Sequence, residues 1–240
     1  MTVDGWARTV RQQLGLGRLL PLGGPRDGAW IAEEAAAEAL RSAAHELPGV
    51  RLGALRIALA DPGETQEPVV PAPPSALPPG ALRVTADFAA TAAEPLPAVA
   101  DRLRGALAQA ADRRLGLAVT EVDLRVTALL DEGAQSAPVP PREAPSAREP
   151  GEGDEARAAA AALAVPGVAG LTGILGGLGR PVHFEDRPAE AALPARHVRV
   201  EIAVRADHRA VEVARAVRTQ VAQAVPDHPT VAVLITAVAG

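Results

Sequence analysis

Lysine and cysteine are absent from this 240-residue chain, and each absence excludes a class of chemistry. Without cysteine there is no disulfide bond, no thiolate metal site and no cysteine nucleophile. Without lysine there is no P-loop, because that motif needs a lysine to reach the phosphates. All 24 basic residues are therefore arginines. Together with the excess of alanine, glycine and proline, this composition is typical of a GC-rich bacterium such as an actinobacterium.

Aromatic side chains and long apolar runs are also scarce. Aromatic residues make up 2% of the chain and hydrophobic residues 48%, so we expect a folded protein with cores of Val, Leu, Ile and Ala. The net charge of −5 argues against a general nucleic-acid binder. No window approaches the roughly 20 apolar residues that span a bilayer. The N-terminus lacks a secretory signal pattern, which predicts a cytoplasmic location.

A strand–helix–strand pattern occurs twice, between Ala81 and Leu130 and again between Arg196 and Ala239. Upstream of each copy an alanine-rich helix pattern ends at the same tripeptide, Pro-Gly-Val. The offset between matched residues drifts gently, from 118 for Val50 and Val168 to 109 for Thr127 and Thr236. Such a steady register, with small deletions in loops, indicates a tandem duplication.

These patterns predict an α+β protein of two tandem small domains. Each should contain a helix, a β-hairpin, a second helix and a last strand, with the helices mainly on one face of a short mixed sheet. The two strands around the second helix should be parallel. The predicted segments are an amphipathic and Gly-rich N-terminal segment (1–27), a first repeat (28–130) with a Pro-rich insertion (62–80), a disordered Pro/Glu linker (131–154) and a second repeat (155–240).

Three local expectations refine this division. The first helix is predicted over Trp30–His45, with Asp27 as its N-cap and two glutamates in its first turn. The insertion, which holds seven prolines, is predicted to be a long mobile excursion between two strands. In the second repeat, five glycines between Gly170 and Gly179 displace the first strand toward 181–185.

No catalytic set is recognisable. The five histidines lack the spacing of helical metal ligands, and we expect all of them at surface or capping positions. A hydrolase triad would need Ser42, which lies mid-helix without a nucleophile-elbow sequence. The Gly-rich segment 170–179 lacks the features of a phosphate loop and matches only weakly the GxxG clamp of K-homology domains. We therefore predict no catalytic, cofactor or metal site. An enzyme becomes plausible only if both halves bring carboxylates or histidines into one deep pocket.

The N-terminal segment carries an apolar stripe at Trp6, Val10 and Leu14, with the spacing of one helix face. Two interpretations are open. The stripe could dock a protein partner or a membrane surface, or it could pack on its own domain. We name these three residues as the candidate partner-binding site.

The last segment of the first repeat resembles the bacterial alkaline-shock or Gls-type envelope-stress family. The matching residues are Gly116-Leu117-Ala118-Val119, followed by Val122, Leu124 and Val126. The resemblance covers residues 28–130 and, more loosely, 155–239. Two departures are that the usual member has one such domain and that the second repeat has Pro226-Asp227-His228-Pro229 before its last strand. The resemblance implies a non-enzymatic cytoplasmic scaffold that is tethered to the membrane through a small membrane-anchored protein.

The sequence therefore favours a tandem interaction protein that has a protein partner, needs no cofactor and binds no DNA; self-association stays open. The alternative is an RNA-binding module that uses the loop 170–179 or the arginines on the solvent side of predicted strands. Those arginines are Arg83, Arg125, Arg199 and Arg205.

Overall fold

The computed structural model describes residues 17–131, 147–174, 179–187 and 195–240. In chain order the first half has β1 (Leu19–Pro21), β2 (Ala29–Ala32), α1 (Glu33–His45), β3 (Val50–Leu59), β4 (Leu82–Thr91), α2 (Leu96–Ala110), a π-helical turn (Ala111–Leu115) and β5 (Val119–Leu130). The second half has α3 (Asp154–Leu163), β6 (Val168–Leu171), β7 (Val182–Arg187), β8 (Ala195–Arg205), α4 (Ala210–Ala224) and β9 (Thr230–Ala239). The fold is α+β, as predicted.

The first sheet has three strands in the order β3–β4–β5. β3 and β4 are antiparallel, and β4 and β5 are parallel, with α2 as the crossover. On β4 one face is buried at Leu82, Val84 and Phe88, while Arg83 and Asp87 alternate with them on the other face. Burial therefore alternates along this strand, as expected for a strand with one face on the core.

The second sheet has six strands, with the path β1–β2–β9–β8–β6 and with β7 also paired to β8. β8 and β9 are parallel and are connected through α4, as in the first repeat. Residues on both faces of β9 are buried, from Val231 to Ala237. This continuous burial agrees with its unbroken apolar sequence, which is typical of a strand covered on both faces.

The Gly-rich region splits one strand position between two strands. β7 forms close to the expected displaced site, but β6 also forms directly after Gly167. β6 pairs antiparallel with the end of β8, and β7 pairs antiparallel with its beginning. Together they occupy the position beside β8 that β3 alone occupies beside β4 in the first sheet. Residues 175–178 of the predicted loop lie outside the described residues.

The chain before α1 differs from the prediction. Trp30 and Ile31 lie in β2, and α1 begins only at Glu33, with Ala32 at its N-cap. β2 pairs in parallel with β9, which belongs to the second repeat. Asp27 is not a helix cap; its carboxylate accepts from Gly24 N at 2.7 Å and from Arg215. The hydrophobic residues near 30 follow helical spacing, but their partner is a distant strand, which local spacing does not specify.

The Pro-rich insertion returns to the body of the protein and is not the free excursion that we expected. Val70 is buried, and Leu77 N donates to Leu19 O at 2.8 Å. The indole Nε1 of Trp30 donates to Leu77 O at 3.3 Å. Proline cannot donate a backbone hydrogen bond, so the residues between the prolines provide the anchoring contacts.

The two repeats share one continuous hydrophobic core. Across their boundary, Arg209 Nη2 contacts Asp112 Oδ1 at 3.0 Å, and Arg209 Nε donates to Asp112 O at 3.0 Å. Of the predicted linker, residues 132–146 lie outside the described residues, and α3 begins at Asp154. Within the described ranges, no helix has the length and apolar character that crossing a membrane requires.

Candidate functional site: the cleft between the repeats

A cleft of about 210 Å³ lies at the boundary of the repeats. Helix α1 forms one wall, the π-helical turn a second, and the β8–α4 turn with the end of β9 a third. The lining residues are Glu38, Ala39, Ser42, His45, Arg114, Leu115, Val204, Ala206, His208, Ala210, Val238 and Gly240. Both repeats are needed to build it, so the cleft exists only while they are packed together.

The floor of this cleft is apolar and its rim is polar. Leu115, Val204 and Ala210 are buried, whereas Ser42 and His45 on α1 are exposed. Sites for drug-sized ligands enclose about 300–1,000 Å³, so this cleft is smaller than a usual small-molecule site. Its size and lining suit a single apolar side chain that a partner inserts.

A charged cluster sits at the β8–α4 turn on the rim. Asp207 accepts from Arg205 Nε and Nη2 at 3.1 and 3.0 Å, and His208 Nδ1 lies 2.8 Å from its Oδ1. The bonds from Arg205 first, and then from His208, lower the pKa of Asp207 from 3.8 to about 2. The carboxylate therefore stays ionised at any physiological pH and orients the imidazole.

The cleft meets part of the condition that we set for an enzyme. It brings Glu38 and His45 of the first repeat near His208 of the second, and Ser42 lines the same space. However, no hydrogen bond joins Ser42 to an imidazole among the described residues, although an activated serine needs such a contact. In the described ranges there is also no group of three His, Cys, Asp or Glu side chains that could hold a metal ion.

The histidines do not all occupy the expected surface positions. His197 is 3% exposed, and its Nδ1 lies 2.9 Å from Thr230 Oγ1 between the paired strands β8 and β9. Burial is the main cause that lowers the pKa of His183. His228 has a positive φ of 44° and donates from Nδ1 to Ala222 O, so it belongs to the turn after α4.

All four arginines of the RNA alternative contact carboxylates. Arg83 contacts Glu121, and Arg125 makes a bidentate pair with Asp87 at 2.8 and 2.9 Å. Arg205 is bound to Asp207. Arg199 is not on a solvent face, because its side chain is only 13% exposed and contacts Glu185 at 3.2 Å. Phosphate binding requires excess positive charge, and each of these guanidinium groups is already balanced.

Strand β5 is a second exposed feature. β4 pairs with one of its edges, and no strand in the described ranges pairs with the other. Two of its apolar side chains are poorly covered, since Val126 is 40% exposed and Leu129 is 63% exposed. Unpaired strand edges are sites where another chain can add a strand.

The structure places none of the predicted partner-binding residues at either feature, because Trp6, Val10 and Leu14 lie outside the described residues. The cleft itself was missed by sequence reasoning. Its lining comes from five separate elements, namely α1, the π-helical turn, β8, α4 and β9, and its apolar part includes small residues such as Ala39, Val204 and Ala206, which give no distinctive pattern. The available signal was Ser42 and His45 on the exposed stripe of α1.

No family model, curated protein or solved structure matches this chain.

Proposed function

We propose that this protein is a non-enzymatic interaction scaffold whose inter-repeat cleft takes an apolar side chain from a protein partner. The observation that carries the proposal is the cleft itself, with its apolar floor and small volume of about 210 Å³. A pocket of this kind is the usual seat of an interface anchor residue, and the charged rim around it sets orientation. Glu38, Arg114 and His208 supply that rim.

The duplication supports the same conclusion. One repeat alone provides only half of the cleft, so tandem copies with a shared core create a binding feature that neither has. In line with the resemblance to envelope-stress scaffolds, we place the protein in the cytoplasm. Its partner is then a small membrane-anchored protein, and the scaffold is associated with the membrane through it. Trp6, Val10 and Leu14 stay candidates for a second contact with that partner.

Affinity capture from membranes of the native host tests the proposal. The wild-type chain should enrich a small integral membrane protein. Ser42→Arg places a long charged side chain in the mouth of the cleft without touching the core, and it should reduce the recovery about tenfold or more. Ala160→Arg is the matched control, because Ala160 is exposed on α3 and is not one of the residues that line the cleft.

Two outcomes would contradict the proposal. One is the recovery of soluble enzymes alone; the other is an equal recovery with Ser42→Arg and wild type. The claim that the protein is not an enzyme has its own test, because a fluorophosphonate probe labels activated serines. Labelling of the wild type that disappears in Ser42→Ala would show a working nucleophile in the cleft.

The RNA alternative is tested by filter binding at low salt. Since the four strand arginines are balanced by carboxylates, we expect no retention of RNA. Retention that falls with rising salt would favour the alternative.

A further inference from the structure

We propose that two copies of this chain associate through antiparallel pairing of their β5 edges, forming a continuous six-stranded sheet from two three-stranded ones. The proposal goes beyond the function proposed above and does not depend on the cleft. It rests on the free edge of β5, on its exposed apolar side chains and on the order of charges along the strand. Together these features match a second copy of β5 itself.

The central part of β5 has the regular geometry that strand addition needs. Its pairing with β4 has irregularities only near Leu82–Arg83 and Phe88–Ala89. Between them, Glu121 to Val126 of β5 pair in unbroken register. A two-fold interface uses the same surface on both copies, so a strand that pairs with itself must be self-complementary about one central residue.

Leu124 is such a centre. With the two-fold axis at Leu124, Asp123 of each copy lies opposite Arg125 of the other, and Val122 lies opposite Val126. Directly opposite residues on an antiparallel pair point to the same face, so each opposition is a contact. The ion pair and the valine pair therefore each form twice, and no like charges face each other in this central part.

The neighbouring strand extends the charge match. Asp87 on β4 is the register partner of Arg125, and the two side chains are bonded. Across the interface the row then reads Asp87, Arg125 and Asp123 of the second copy, with alternating sign. On the opposite face Val126, which is 40% exposed in the single chain, becomes covered.

One side chain already contacts the backbone of β5. Arg104 Nε on α2 donates to Val122 O at 3.2 Å, and the Arg104 side chain is 46% exposed. A carbonyl oxygen has two lone pairs, so this contact is compatible with a strand bond to the same oxygen. The contact from Arg104 therefore leaves Val122 O able to accept a hydrogen bond from a second strand.

Cysteine crosslinking of the full chain tests both the association and its register, since the chain has no native cysteine. In Leu124→Cys the two thiols face each other across the axis, with Cα atoms about 4.5–5.5 Å apart, a separation that a disulfide spans. In Leu129→Cys they are ten residues apart along the strands, about 33 Å. We expect a covalent dimer on mild oxidation with Leu124→Cys and none with Leu129→Cys.

Sedimentation equilibrium gives a second, independent measurement. The wild type should show a monomer–dimer equilibrium. Asp123→Arg places like charges opposite each other and should raise the dissociation constant about tenfold or more. The double variant Asp123→Arg/Arg125→Asp restores opposite charges and should recover most of the affinity. Leu163→Arg is the control, because Leu163 is 51% exposed on α3 and should leave the equilibrium unchanged.

A wild type that stays monomeric up to about 200 μM, where even a weak dimer would be populated, would overturn the proposal. Crosslinking in Leu129→Cys but not in Leu124→Cys would also overturn it, since it requires another register or surface. Circular dichroism of each variant verifies folding, and the crosslinking pair does not depend on the charge variants. Failure of the wild type to capture a membrane protein, with the dimer intact, would instead count against the cleft proposal alone.

Discussion

Glu33 is a buried carboxylate that joins three segments of the chain. It is 7% exposed, its Oε1 accepts from Ile57 N at 3.1 Å, and its Oε2 lies 3.5 Å from Arg18 Nε. Arg18 in turn donates from Nη2 to Ile57 O at 2.8 Å. The start of α1, the end of β3 and the segment before β1 are thus held by one side chain at the helix N-terminus, where negative charge is favourable.

Replacing Glu33 by alanine should lower the free energy of unfolding by about 2–3 kcal/mol, because the buried Ile57 N–H loses its acceptor. Urea titration monitored by circular dichroism measures the change. Glu34→Ala is the matched control on the next residue, since Glu34 makes only a surface ion pair with Arg41, worth about 0.5 kcal/mol or less. Equal effects of the two changes would show that the buried contact contributes nothing.

At the scale of elements, helix α2 is followed by the π-helical turn and ends at Gly116. Gly116 has a φ of 87°, in the left-handed region, and its N–H donates to Ala111 O at 2.9 Å. A Cβ at this position would lie 2.3 Å from Val211 Cγ1 on α4. The turn therefore combines a helix stop with a close approach between the repeats, and only glycine satisfies both.

Two glycine-to-alanine changes separate these effects. Gly116→Ala should destabilise the protein by about 2 kcal/mol or more, because the strained φ and the overlap with Val211 add. Gly105→Ala, in the middle of α2 with no atom within 4 Å of the new Cβ, should stabilise it by about 0.5–1 kcal/mol. Urea midpoints of the two variants check the opposite signs. Destabilisation by Gly105→Ala would contradict the open space seen there.

At the scale of the whole molecule, the segment before α1 binds to the second repeat. Besides the pairing of β2 with β9, Asp27 accepts from Arg215 Nε and Nη2 at 2.8 and 3.0 Å. The side chain of Asp27 is 16% exposed, so this contact is partly shielded from solvent. The hydrogen bond from Arg215 is the largest cause that lowers the pKa of Asp27 below 3.8.

Because the folded pKa of Asp27 is lowered, the ionised carboxylate adds stability that is fully present above the unfolded value of about 3.8. That stability is lost as the pH falls through the folded pKa. Asp27→Asn should therefore cost about 1 kcal/mol at pH 7, and its difference from wild type should shrink below about pH 4. Urea titrations at pH 7, 5 and 3 measure this. Asp61→Asn, in an exposed loop, is the control, and a difference that is constant with pH would contradict the role of Arg215.

The elements of the two repeats could be predicted well, whereas their assembly could not. The alternation in β4 and the helical spacing of the buried residues Val99, Leu103 and Leu107 in α2 are local patterns, and local hydrogen bonding and burial satisfy them wherever the element packs. Trp30 and Ile31 were assigned to a helix because alanine-rich sequence follows directly. Their strand is formed by pairing with β9, about 200 residues away, and such pairing has no local signature.

The sequence by itself determined the repeated order of elements, the parallel strand pairs and the absence of cysteine and lysine chemistry. It determined these because spacing and residue type act over a few neighbours in the chain. Only the tertiary structure decided that the N-terminal strands join the second sheet, that the Pro-rich insertion is anchored, and that a cleft lies between the repeats. Those features depend on contacts between residues far apart in sequence, whose free energy is gained only when the whole core has assembled.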